Sequence, residues 1–131
     1  MDDRSAIGDD ATFERGLDIR REVLGREYVD ESLARAEGFD EDFQRLVTTY
    51  CWGEVWGRDT LSRTTRSLLN IAMMTVMGRP HELELHLRGA LRNGCTVEQI
   101  REVLLQTAVY AGLPAALDGF RVANDVIAEQ A

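Results

Sequence analysis

The sequence predicts an all-α fold of about six helices joined by short loops, and three observations predict it. Apolar residues recur three and four positions apart in the long segments. No segment shows the strict apolar–polar alternation of a half-buried strand. Capping residues, glycines and prolines stand where helices of ordinary length would start and stop. At 131 residues and 44% hydrophobic content, the chain has the size of one domain and the material for a core.

Residues 1–9 read as a loose, flexible polar tail, and one domain is expected over 10–131. Asp10 is the expected cap of a helix over about 11–24, stopped by Gly25. Asp30 is expected to cap a short helix to about Ala36, which Gly38 breaks. Asp40 then caps a helix over about 41–52, with Phe43, Leu46, Val47 and Tyr50 on one side. Gly53 and Gly57 bracket Glu54-Val55-Trp56 as a helix end or turn with an aromatic plug.

The segment from about 60 to 77 has almost no polar face in its second half, where Leu68, Leu69, Ile71, Ala72, Met73, Met74, Val76 and Met77 crowd together. A helix apolar all round is a buried one, so this segment is either central or also covered by a partner subunit. Pro80 suits the first position of a helix over about 81–92, and Asn93-Gly94 suits its end. Thr96 and Gln99 form a capping-box pattern. It opens a helix whose apolar face is Val97, Ile100, Val103, Leu104, Thr107, Ala108 and Ala111. Gly112 and Pro114 stop that helix, and a last one spans about 115–129.

The net charge of −8 argues against nucleic acid and against docking on an anionic membrane. No apolar run approaches the length of a membrane span, and residues 1–10 carry four aspartates rather than a leader's apolar stretch. The cytoplasm is the expected compartment. All 15 basic residues are arginine. Without lysine, no Schiff base to a substrate forms and pyridoxal phosphate has no anchor. Cys51 and Cys95 lie far apart and read as small hydrophobes in a reducing compartment.

The residues most able to carry chemistry surround Pro80. Glu82 and His86, four apart, share one side of the helix at the edge of its apolar face of Leu83, Leu87, Ala90 and Leu91. A carboxylate and an imidazole beside an apolar surface suit proton transfer, since each tunes the other's pKa. A structural Glu–His pair has the same spacing and, by spacing alone, is the commoner reading. Arg79 precedes the helix start, where free backbone N–H groups attract anions, although an arginine there can equally reach into solvent. His81-Glu82-Leu83-Glu84-Leu85-His86 misses the HExxH zinc pattern, because its histidines are five apart and point away from each other. No metal site is expected. Trp52, Glu54, Trp56 and Arg58 cluster before the apolar helix, as pocket wall or as core anchors. Arg66 stands one turn before the apolar half of that helix.

The ordered series Trp56-Gly57-Arg58, Leu61, Arg63, Thr65 to Asn70, Gly78-Arg79-Pro80-His81-Glu82-Leu83, His86, Gly89-Ala90-Leu91, Asn93-Gly94 and Thr96 resembles the carboxymuconolactone decarboxylase family. The likeness continues through Glu98-Gln99-Ile100, Glu102 to Gln106, Tyr110, Gly112, Pro114-Ala115-Ala116 and Phe120. It implies an alkylhydroperoxidase D-like helical fold and a homo-oligomer, commonly a hexamer. Redox relatives carry a CxxC ahead of the histidine that corresponds to His86; here those positions are Arg79 and Glu82.

The implied reaction is cofactor-free decarboxylation of an anionic lactone, 4-carboxymuconolactone, to 3-oxoadipate enol-lactone in the protocatechuate branch of the β-ketoadipate pathway. By the same resemblance, His86 oriented by Glu82 is expected to be the proton donor or enolate partner. Arg79, Arg66 and Arg58 are expected to bind the anion, with His81 a weaker candidate and Trp56 and Glu54 beside the substrate. Two alternatives accompany this reading. One is a thiol-dependent peroxide reductase that recruits Cys51 or Cys95, and the other is a non-enzymatic helical module.

Overall fold

Asp9, not Asp10, opens the first helix. Its backbone is extended and its carboxylate accepts from the Thr12 N–H at 2.8 Å and from the Thr12 hydroxyl at 2.9 Å. Helix α1 therefore runs Asp10–Leu24. The structure, a computed structural model, describes residues 6–36 and 38–130. Of the expected N-terminal tail, residues 1–5 lie outside the described residues. Ile7 and Gly8 are tied down, since the Arg45 guanidinium donates to both of their carbonyls and pairs with Asp10.

The described residues contain seven α-helices rather than about six, and no strand. By contacts the chain forms two compact units, one up to Leu61 and one from Ser62.

In the first unit, α2 (Arg26–Arg35) starts immediately after Gly25, five residues earlier than expected. Gly25 makes the turn alone at φ 97°, so no connecting loop is needed. Asp30 is then not a cap. It lies inside α2 and receives the Arg21 guanidinium at 2.8 Å, which ties α2 to α1. A short 3₁₀ turn, Gly38–Asp40, leads into α3 (Glu41–Leu46), which continues as a π-helical stretch over Val47–Val55.

This stretch replaces the expected turn at Gly53 and rotates the buried face. With one more residue per hydrogen-bonded turn, the inward positions become Thr48, Thr49, Trp52 and Gly53. Phe43, Leu46 and Tyr50, expected inside, are exposed. Gly53 does not stop the helix. A Cβ there would come within 2.6 Å of the Thr12 carbonyl oxygen, and one at Gly16 would strike the Thr48 carbonyl oxygen. Two glycines thus let α1 and the π-helical stretch approach backbone to backbone. Trp52 and Trp56 stack at 4.6 Å between centroids and join Ile19 and Val23 in this unit's core.

In the second unit, Ser62 caps α4 (Arg63–Met77), accepting from the Thr65 N–H at 3.1 Å. Gly78 ends it in the left-handed region at φ 68°, where a side chain would be strained. Helix α5 (Pro80–Arg92) begins on the proline, as its missing N–H allows. The capping box forms at α6 (Val97–Ala111), with Thr96 and Gln99 each receiving the other's backbone N–H. Helix α7 is Leu113–Glu129. Pro114 therefore starts α7 from within its first turn, and Gly112 alone makes the break from α6.

Ile71, Leu83, Leu87, Ile100, Leu104 and Val126 are almost fully buried and form the core where α4 to α7 meet. Arg88 braces the outside by donating to Glu84 on α5 and Glu129 on α7 at 2.6 to 3.0 Å. The second half of α4 is not buried all round. Ile71 and Thr75 point inward, while Leu69, Met73, Val76 and Met77 are 46–59% exposed. Helix α4 packs against α5, α6 and α7 on its inward side, and its remaining apolar stripe stays at the surface.

Candidate active site

Helices α4 and α5 run antiparallel after the tight turn at Gly78, and polar contacts mark their seam. Asn93 donates to the buried Ser67 hydroxyl at 2.9 Å, and the Cys95 thiol reaches the Thr64 carbonyl at 3.5 Å. Farther along, Asn70 Nδ2 lies 3.4 Å from His86 Nδ1. Ser67 and Asn70 are three apart, so they share the side of α4 that faces α5.

His86 is half-buried in this seam. Burial pushes its pKa below the ordinary 6.5, and the charge of Glu82 one turn away opposes that shift without cancelling it. The ring is therefore neutral at neutral pH. Glu82 acts on it through charge, whereas the side chain in hydrogen-bonding range of the ring is Asn70. A neutral imidazole held at one nitrogen and flanked by a carboxylate can donate from its other nitrogen to a developing anion.

Arg79 lies at the other end of α5, exposed, on a cleft of about 430 Å³ whose lining includes Gly78, Pro80, Leu83, Val122 and Arg121. The first turn of α5 has no side-chain cap, so its N-terminal N–H groups are open to an anion. His86 is not part of this cleft's lining. His81 is exposed beside Pro80. Arg66 is half-buried on α4, one turn before Asn70 and on the same side of that helix.

The second unit thus brings Glu82, His86 and Asn70 together and places Arg79 at the start of the same helix. Glu54, Trp56 and Arg58 belong to the first unit, where Trp56 is buried against Trp52 while Glu54 and Arg58 are exposed. Sequence reasoning missed Asn70 as a partner of His86. The signal available was a polar residue, three after Ser67, set among the apolar residues of the 68–74 stretch. It also missed Arg121 at the cleft, which is bonded to Asp118 at 3.1 Å.

Cys51 and Cys95 are free thiols, half-buried and buried respectively. Burial raises both of their pKa values, which disfavours the reactive thiolate. Among the described residues, no three His, Cys, Asp or Glu side chains converge as metal ligands would. Nor is any described helix long and apolar enough to cross a membrane.

Comparison with known proteins bears on this arrangement. The sequence profile of the carboxymuconolactone decarboxylase family matches residues 41–125. A 4-carboxymuconolactone decarboxylase of Acinetobacter baylyi is 41% identical over 120 residues, covering 92% of this chain and 90% of the relative. A nitrosuccinic acid decarboxylase of Metarhizium robertsii is also 41% identical, over 115 residues, covering 88% and 80%.

Proposed function

Because the chain belongs to the carboxymuconolactone decarboxylase family and is a carboxy-lyase, we propose that it decarboxylates 4-carboxymuconolactone to 3-oxoadipate enol-lactone and carbon dioxide. The observation that carries this reading is the 41% identity to the bacterial lactone decarboxylase over nearly the whole of both chains. The step belongs to the protocatechuate branch of the β-ketoadipate pathway, in the cytoplasm.

The substrate contains its own electron sink. As the ring carboxylate leaves, the electrons of the breaking C–C bond move through the adjacent C=C into the lactone carbonyl. The resulting dienolate then takes a proton from solvent water on the carbon next to that carbonyl. No cofactor is needed. The protein's tasks are to hold the acetate side chain, to stabilise the enolate oxygen and to allow delivery of one proton.

His86 meets the enolate oxygen. Its depressed pKa favours a neutral ring that donates a hydrogen bond over an imidazolium that gives up its proton. Glu82 supports the positive character that grows on the ring as the enolate forms. Arg79, with the open first turn of α5, receives a substrate carboxylate, and Arg66 serves the second charge. His81, exposed beside Pro80, flanks the substrate. The departing carboxylate is best placed against apolar side chains, where its charge is poorly solvated and its loss is favoured.

The test is an absorbance assay on freshly generated 4-carboxymuconolactone. Purified protein is expected to accelerate its disappearance well above the spontaneous rate. No acceleration, or a clear preference for nitrosuccinic acid in a parallel assay, would remove the substrate assignment.

The same reading includes a homo-oligomer, a hexamer by resemblance. Leu69, Met73 and Val76 on α4, Val109 and Tyr110 on α6, and Leu113 and Leu117 on α7 are all exposed, and 79–85% exposure of Val109 and Tyr110 is costly in a monomer. Light scattering is expected to give a multiple of the 14.7 kDa chain mass. A monomer at micromolar concentration would contradict it.

A further inference from the structure

We propose that Asn70 is a positioning residue for His86, holding the ring in the tautomer that carries its hydrogen on Nε2. An amide nitrogen offers hydrogens and no lone pair. Asn70 Nδ2, 3.4 Å from His86 Nδ1, can therefore bond only to an Nδ1 that is unprotonated. In a neutral ring the hydrogen then sits on Nε2, the nitrogen turned away from Asn70.

The contact is built into the fold. The bonds from Asn93 to Ser67 and from Cys95 to Thr64 set the register of α4 on α5. That register puts Asn70 opposite His86. Glu82, on His86's own helix, favours a proton on the ring through its charge. The contact from Asn70 at Nδ1 is what selects the nitrogen. Its effect on rate rests on the reading of His86 as the enolate's donor, but its effect on the tautomer does not.

The experiment uses the full chain labelled with ¹⁵N-histidine. Long-range proton–nitrogen spectra report which ring nitrogen carries hydrogen, and a His86→Gln sample distinguishes His86 from His81. In the wild type, Nε2 is expected to be protonated and Nδ1 bare. Asn70→Asp replaces the donor by an acceptor and should move hydrogen onto Nδ1. Asn70→Leu should leave the ring as a mixture of tautomers.

With the lactone as substrate, Asn70→Asp should lower kcat about tenfold or more, since a catalytic imidazole in the wrong tautomer loses activity, and Asn70→Leu should lower it less, in proportion to the fraction of rings in the wrong tautomer. A protonated Nδ1 in the wild type would overturn the proposal. So would folded Asn70→Asp and Asn70→Leu proteins whose ring nitrogens match the wild type. If the tautomer responds as expected but kcat does not, the role of His86 at the enolate falls instead. If the wild type has no activity on the lactone, the substrate reading fails while the tautomer result stands.

Discussion

Replacing His86 by alanine is expected to slow loss of the lactone by about 10²-fold or more, the usual cost of removing one donor aimed at a developing oxyanion. The protein should remain folded, because the side chain is only half-buried and makes one long polar contact. A near-wild-type rate in a folded sample would sink the assigned role.

The same substitution has a second, pH-dependent signature. The folded-state pKa of His86 lies below its ordinary 6.5, so the unfolded chain binds the proton more readily than the fold does. The favourable contribution of the neutral ring is fully present above pH 6.5 and is lost as pH falls below 6.5 toward the folded-state value. Urea titrations at a series of pH values should therefore show a shallower acid decline in His86→Ala than in the wild type. An equal or steeper decline would mean that the ring is not held neutral by the fold.

The largest stability effect is expected at Leu87. It is 1% exposed and packs in the cluster with Ile71, Leu83, Ile100 and Leu104. Leu87→Ala removes buried surface and leaves a cavity that four packed helices cannot readily close. The expected cost is about 2–5 kcal/mol, a large share of the roughly 5–15 kcal/mol that holds a domain of this size together. Chemical denaturation measures it. A loss below about 1 kcal/mol would show that the seam around α5 relaxes freely.

Much of the second unit was legible because its signals are local. The Thr96/Gln99 capping box, Pro80 at a helix start and Gly94 after α5 each depend on groups within a few residues, and each forms as read. The first unit was harder. A π-helical turn differs from an α-turn by one residue, and no local signal distinguishes Val47–Val55 from an α-helix followed by a turn. Gly53 looked like a stop because glycine often is one. Its actual reason lies in the Thr12 backbone, some forty residues away. Asp30 looked like a cap because nothing near it in sequence announces Arg21 as its partner.

The site divides in the same way. The pairing of Glu82 with His86 follows from helical spacing alone, and the order of motifs along the chain carries the family and with it the decarboxylase class. Helical periodicity, caps and composition also suffice for an all-α chain, since each acts within one turn of backbone. Which nitrogen of His86 faces a donor could not be read that way, nor could the sign of its pKa shift. Both depend on α4 being laid against α5, which brings Asn70 to a residue sixteen positions away and removes water from the ring. Hydrogen-bond partners and desolvation arise between elements, and a one-dimensional pattern records only what happens along them.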